Sequence, residues 1–177
     1  VRKDVYSSVL ECKNAGIKVK MLTGDNLATA YSIAKQLKIA NSKEEVVNAS
    51  DLENMTDNQL KELLSKITVV ARSTPKIVTL LKEMGEVVAV TGDGVNDAPA
   101  IKHADIGIAM GAGSEVTKEA SDIVLLDNSF STIVKAISFG RNIYQNFQRF
   151  IMFQLSVNAT AVMFIIVSLV LGLENPF

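Results

Sequence analysis

The sequence predicts an α/β fold, a parallel sheet layered between helices, followed by one membrane-crossing helix. Three observations predict it. Short apolar runs such as Thr68-Val69-Val70-Ala71 and Val87-Val88-Ala89-Val90 lack polar alternation, as strands buried on both faces of a parallel sheet require. Between such runs, apolar residues recur at three- and four-residue steps, the spacing of one helix face. The third observation is a charge-free run of about 24 residues from Phe150 to Leu173, long enough to cross a bilayer as a helix.

The elements follow in order. Val5, Val9 and Cys12 mark a first helix that Gly16 can end in a left-handed turn. Ile17 to Leu22 reads as a strand, with Thr23-Gly24-Asp25-Asn26 as the loop at its carboxyl end. Asn26 is a good N-cap for a helix in which Ala30, Ile33, Ala34 and Leu37 share a face. The acidic and polar stretch from Ser42 to Lys66 reads as a solvated excursion, with a helix around Asp57 to Lys66. After the strand Thr68 to Ala71, Pro75 suits the first turn of a helix carrying Ile77, Leu80 and Leu81. The strand Val87 to Val90 leads into a glycine-rich loop and a short helix bearing His103, expected on the surface. Asp105 to Met110 and Asp122 to Leu126 supply two more strands. From Ser131 a helix is expected to run unbroken into the apolar segment, giving parts 1–140 and 141–177.

Composition narrows the function classes. With 177 residues, 48% of them hydrophobic, the chain can bury a sizeable core. A net charge of −1 offers no electrostatic attraction for nucleic acid, and none is expected as a partner. The single cysteine, Cys12, excludes an internal disulfide, fits a reducing compartment and belongs to the core face of its helix. Val1-Arg2-Lys3-Asp4 leads directly into that helix, so no N-terminal signal is expected. Arg141 and Arg149 precede the apolar run, which by the positive-inside tendency puts residues 1–149 on the cytoplasmic side. Gln154, Ser156, Asn158, Thr160 and Ser168 interrupt the run, so it is more than a lipid-facing anchor.

The chemistry concentrates in Thr91-Gly92-Asp93-Gly94-Val95-Asn96-Asp97-Ala98-Pro99. Loops at the carboxyl ends of parallel strands are where α/β proteins place their sites. Asp93 and Asp97 offer hard oxygen ligands and Asn96 an amide, a set suited to Mg²⁺ beside a phosphoryl group. Nothing in the loop is a nucleophile, so it is half of a site. Gly111-Ala112-Gly113-Ser114 is expected to turn the chain nearby.

Together with Thr23-Gly24-Asp25-Asn26, Ile106-Gly107-Ile108-Ala109-Met110-Gly111, Phe130-Ser131-Thr132-Ile133-Val134 and Gly140-Arg141-Asn142-Ile143-Tyr144, this loop resembles the phosphorylation domain of P-type cation-transporting ATPases. The resemblance runs through nearly the whole chain. It implies a Rossmann-like sheet of the haloacid-dehalogenase type and a reaction that passes the γ-phosphoryl of ATP to an aspartate, then hydrolyses the acyl phosphate. The family's nucleophile lies in an Asp-Lys-Thr-Gly-Thr motif that these residues lack, so the chain alone is expected to be inactive. The nucleophile's strand is expected at the centre of the sheet, which leaves apolar edges exposed without it.

By resemblance, Asp93 holds Mg²⁺, Asn96 touches the phosphoryl group and Asp97 shapes the site by hydrogen bonding. Thr23 and Gly24 offer a hydroxyl and an N–H to phosphoryl oxygens at a helix N-terminus. Asp25 serves nucleotide binding or domain closure, and Arg72 approaches the nucleotide ribose. The lysine departs from the family pattern, because Pro75 runs at once into Lys76-Ile77-Val78, about four positions short. Either Lys76 has taken the phosphoryl-binding role, or it is the ordinary later lysine and a stretch is missing between Pro75 and Lys76. In the apolar segment, Asn158 matches a cation-binding position, while Ala161 stands where two-site calcium pumps carry an acid. With Phe153-Gln154-Leu155-Ser156-Val157-Asn158, this resembles plasma-membrane-type calcium pumps and implies Ca²⁺ as the transported ion. ATP, Mg²⁺, Ca²⁺, further domains and membrane helices of the same pump, and a lipid bilayer are the implied partners of a multi-pass protein. The alternatives are a pump for another cation, a soluble phosphatase with the same sheet, and a catalytically silent binding fragment.

Overall fold

The computed structural model describes residues 3–52, 55–71 and 76–172. In chain order it holds α1 (Lys3–Asn14), β1 (Met21–Thr23), α2 (Leu27–Gln36), β2 (Val46–Asn48), α3 (Ala49–Leu52), α4 (Asp57–Lys66), β3 (Val69–Ala71) and α5 (Lys76–Glu83). There follow β4 (Ala89–Gly92), α6 (Ala98–His103), β5 (Ile106–Met110), α7 (Glu115–Glu119), β6 (Ile123–Leu125) and α8 (Phe130–Val170). Two compact units result, residues 1–134 and 135–177, with the division falling inside α8.

Parallel strands between helices are as the sequence predicts, but the described strands form two sheets. In the first the order is β1-β3-β2, with Met21 and Val46 both opposite Val69. Successive residues of a strand point to opposite faces, and β3 uses both. Val69 and Ala71 join a core cluster with Val9, Ala30, Ala34 and Leu37. Val70 joins another with Leu60, Leu64, Ile67, Ile77 and Leu80. Full burial of a side chain such as Leu64 contributes about 1.5–3 kcal/mol, so β3 is the spine of this half. Cys12 is buried, as its helix face requires.

Two expectations about this sheet are corrected. The stretch from Ser42 to Lys66 is not simply solvated, because Val46–Asn48 pairs with β3 as a strand. Its Val-Val pair is masked in the sequence by acidic neighbours, and one of those, Glu45, is a tether. Its carboxylate accepts the N–H groups of Asn41 (3.1 Å) and Ser42 (3.2 Å) and the Thr68 hydroxyl (3.3 Å). The strand expected at Ile17 to Leu22 is instead Met21–Thr23, since β3 offers partners only from Val69 to Ala71. Lys20, just before it, donates its ammonium to the Leu64 carbonyl at 2.7 Å, closing the carboxyl end of α4.

The second sheet has the order β4-β5-β6, with Thr91 opposite Ile108 and Ile108 opposite Ile123. One device aligns both of its pairs. Asp105, just ahead of β5, accepts the Val88 N–H at 2.9 Å, and Asp122, just ahead of β6, accepts the Gly107 N–H at 2.7 Å. A carboxylate at the amino end of each strand thus satisfies a backbone donor on its neighbour and sets the register. At Gly107 a Cβ would stand 2.7 Å from the Ile101 side chain, so the missing side chain lets α6 pack on β5. β1 and β4 are edge strands. The buried strand expected at Val87 to Val90 is instead Ala89–Gly92, and with a partner on one side only it exposes Ala89 and Thr91, whereas β3 is buried throughout.

The helix expected from Ser131 is α8, which begins at Phe130 and is unbroken for 41 residues, about 60 Å. It is long and apolar enough to cross a membrane. Ser156 and Thr160 donate their hydroxyls to the carbonyls of Met152 and Ser156, both at 2.8 Å, so those polar groups are satisfied inside the helix.

Candidate functional site

The loop after β4 is built by glycine, one helical turn and a carboxylate turned inward. Val95–Asp97 forms a 3-10 turn, and Pro99 sits in the first turn of α6, where its missing N–H costs nothing. Asp97 does not reach outward. Its Oδ2 accepts the N–H of Asp93 at 3.1 Å and that of Gly94 at 3.0 Å. These are charge-assisted bonds, and they commit that oxygen to holding the loop.

The Asp93 carboxylate is thereby left as the oxygen donor. It is exposed and, among the described residues, makes no hydrogen bond or ion pair. Asn96 is exposed at the same loop. No group of three or more His, Cys, Asp or Glu residues gathers to cage a metal among the described residues. One carboxylate with open positions fits Mg²⁺, which takes one or two carboxylates and leaves the remainder to water and phosphate.

The second loop stands at the carboxyl end of β1. Thr23 accepts the Asp25 N–H on its hydroxyl oxygen at 3.1 Å, and Asn26 caps α2 by accepting the Thr29 N–H at 3.0 Å. Gly24 and Asp25 are exposed ahead of the helix. The segments entering β1 and β4 are joined by an ion pair between Lys18 and Glu86. No hydrogen bond or ion pair between described residues links the Thr23 loop to the Asp93 loop.

Lys76 opens α5 and pairs with Asp57 of α4 at 2.9 Å, both exposed. The hydrogen bond from Lys76 and its charge hold the Asp57 carboxyl below its usual range. Arg72, and the junction of Pro75 with Lys76, lie outside the described residues. Asn158 belongs to the second unit, where its Oδ1 accepts from Gln154 Nε2 at 3.5 Å. His103 is exposed, with Nδ1 2.7 Å from the Pro99 carbonyl.

Sequence reasoning missed one residue at the loop, Thr117, and had Ser114 only as part of the turn nearby. The turn Gly111–Ser114, expected nearby, lies against it, with the Ser114 N–H on the Asp93 carbonyl at 2.9 Å. Thr117, on α7, reaches the Gly94 carbonyl with its hydroxyl. The one available signal was Ser114 as an N-cap three residues ahead of Thr117.

The profile of the haloacid dehalogenase-like hydrolases matches residues 1–105. Over 180 residues the chain is 44% identical to calcium-transporting ATPase 1 of Bacillus cereus, covering 99% of this chain and 20% of that protein. It is 45% identical over 185 residues to calcium-transporting ATPase 8, plasma membrane-type, of Arabidopsis thaliana, covering 99% of this chain and 17% of that one. Among solved structures, a zinc-transporting PIB-type ATPase in the E2.Pi state aligns with a TM-score of 0.73 at 29% identity, over 99% of this chain and 24% of that one. The chain therefore spans about a fifth of the length of the curated relatives it matches, and the resemblance to P-type ATPases read from its motifs is borne out.

Proposed function

The chain belongs to the haloacid dehalogenase-like hydrolase family, and on that premise we propose that it is the Mg²⁺- and phosphoryl-binding part of an ATP-driven calcium pump. The reaction passes the γ-phosphoryl of ATP to an aspartate and then hydrolyses the acyl phosphate. The observation that carries this reading is the division of labour in the loop, where Asp97 is bound to the backbone and Asp93 is left open. Mg²⁺ there supplies charge to offset that on the phosphoryl oxygens, and most of the catalysis in this class is positioning and electrostatics.

The remaining roles follow from the chemistry of each group. Asn96 donates its amide to the phosphoryl group, and Thr23 with the Gly24 N–H receives phosphoryl oxygens at the amino end of α2. Lys76 neutralises phosphoryl charge after exchanging its Asp57 partner, while Asp25 and Arg72 serve the nucleotide. The aspartate nucleophile comes from polypeptide beyond these residues, since they contain no Asp-Lys-Thr-Gly-Thr motif. α8 crosses the bilayer with residues 1–149 on the cytoplasmic side, in a multi-pass assembly. Asn158 supplies one oxygen to the transported Ca²⁺, an ion that takes six to eight, so other helices supply the others.

Phosphoenzyme formation from labelled ATP tests this in the intact gene product, across a panel of Ca²⁺, Mn²⁺, Na⁺, K⁺ and Zn²⁺. An acid-stable, hydroxylamine-sensitive label formed only with Ca²⁺ is the expected result. Dependence on another ion would keep the chemistry and overturn the cargo, and no label under any ion would overturn both.

A further inference from the structure

The turn Gly111–Ser114 and the hydroxyl of Thr117 have no part in the reaction proposed above, yet they hold the Asp93 loop from behind. Ser114 gives its N–H to the Asp93 carbonyl at 2.9 Å. Thr117 gives its hydroxyl proton to the Gly94 carbonyl at 2.7 Å, and the residue is completely buried. On the other side, Asp97 takes the N–H groups of Asp93 and Gly94. All four backbone polar groups of these two residues are therefore bound, the two N–H groups by the Asp97 carboxylate, the Asp93 carbonyl by Ser114, and the Gly94 carbonyl by Thr117 and by the Asp97 N–H at 3.0 Å.

The direction of the hydroxyl chain follows from counting protons. The Ser114 and Thr117 hydroxyl oxygens lie 2.6 Å apart, and each hydroxyl has one proton to give. Because Thr117 spends its proton on Gly94, Ser114 must donate to Thr117. The chain runs from Ser114 to Thr117 to the Gly94 carbonyl, and each bond polarises the next. Close approach is possible because position 113 is glycine, where a Cβ would stand 2.9 Å from the Met110 carbonyl and 3.0 Å from that of Asp93. The back of the turn is tied by the Ala112 N–H to Asn128 Oδ1 at 2.8 Å.

We propose that Thr117 is a positioning residue for the Asp93 carboxylate, acting through the Gly94 carbonyl and thereby setting the affinity of the loop for a divalent cation. This rests on the reading of Asp93 as the Mg²⁺ ligand. Removing the hydroxyl takes from the Gly94 carbonyl the donor that ties it to α7 and leaves it only the Asp97 N–H of its own loop, at 3.0 Å, so the loop is freed to shift. The methyl group of Thr117 is not what matters, so serine should serve in its place.

The test uses the intact gene product with Mn²⁺ as a paramagnetic probe for Mg²⁺, and amide hydrogen exchange across residues 91–97. Thr117→Val should weaken Mn²⁺ binding about three- to tenfold and speed exchange in the loop, and Thr117→Ser should restore both. Ser114→Ala, the second variant, should move both readouts the same way by less. Wild-type Mn²⁺ titration in Thr117→Val, or a Thr117→Ser protein as weak as Thr117→Val, overturns the proposal. If Asp93→Asn leaves Mn²⁺ binding unchanged, the metal assignment falls on its own. Faster loop exchange in Thr117→Val, reversed by serine, would then still sustain the brace, and unchanged exchange would overturn it as well.

Discussion

The Asp97 carboxylate occupies the space that a side chain on Gly92 would fill. A Cβ built there lies 2.5 Å from both Cβ and Oδ2 of Asp97, too close for any real contact. Gly92 is therefore required for what it lacks, while its backbone conformation is open to any residue. The last residue of β4 is kept bare so that a carboxylate four positions past Asp93 can fold back onto the loop's own N–H groups.

Gly92→Ala should push Asp97 out of its seat. Overpacking of this kind costs about 1–3 kcal/mol, and the freed Asp93 and Gly94 N–H groups add to the loss. The expected result is a lower apparent melting temperature together with at least tenfold weaker Mn²⁺ binding. A variant that melts and binds as the wild type does would show that the contact is relieved at no cost.

The two aspartates of the loop should separate cleanly by mutation. Asp97→Ala removes an acceptor of two backbone bonds and should destabilise by about 1–3 kcal/mol, measured by thermal melting. Asp93→Asn removes no described bond, so melting should stay near wild type while Mn²⁺ binding is lost. The reverse pattern would exchange the two roles.

Acid should release Asp105. The Val88 N–H, and then Lys82, hold its carboxyl below the usual range. Since the folded pKa is depressed, this carboxylate stabilises the fold above the unfolded value of about 3.9. That contribution disappears as pH falls through the folded value. Melting curves of wild type and Asp105→Asn should differ at pH 6 and converge below about pH 4. A constant gap down to pH 3 would mean that ionisation of Asp105 does not matter.

Lys76 offers a discriminating pair. If it binds the phosphoryl group, Lys76→Met should cut phosphoenzyme formation at least tenfold, whereas Asp57→Asn, which removes only its surface partner, should not. Exposed ion pairs of this kind contribute about 0–1 kcal/mol, so neither change should alter melting much. Equal activity in Lys76→Met and wild type would return Lys76 to the role of an ordinary helix-end lysine.

On α8, Asn158→Ala should abolish Ca²⁺ stimulation of ATP hydrolysis and leave Mn²⁺ binding by the Asp93 loop unaltered. Ca²⁺ stimulation that survives the change would remove Asn158 from the transport site.

Much of this chain was legible without coordinates, where the physics is local. The unbroken α8 follows from a charge-free run with helical propensity, the Asn26 cap from a short polar side chain at a helix start, and the placement of Asp93 from its position after an apolar strand. Interactions between residues far apart in sequence had no such signature. Val46 and Val47 became a strand because β3 stood beside them to pair with, against the reading of their acidic neighbours. Thr117 reached Gly94 across 23 positions because glycine at 113 let two backbones meet. Asp97 could as easily have been a metal ligand by residue type, and only the bare Gly92 beside it turned its carboxylate onto the backbone. Sequence alone determined the long helices, the strands ahead of the two loops and a helix long and apolar enough to cross a membrane, since propensity and periodicity are summed over neighbours. Tertiary structure decided which polar groups remain open for chemistry, because that depends on which partners steric fit allows to come within about 3 Å.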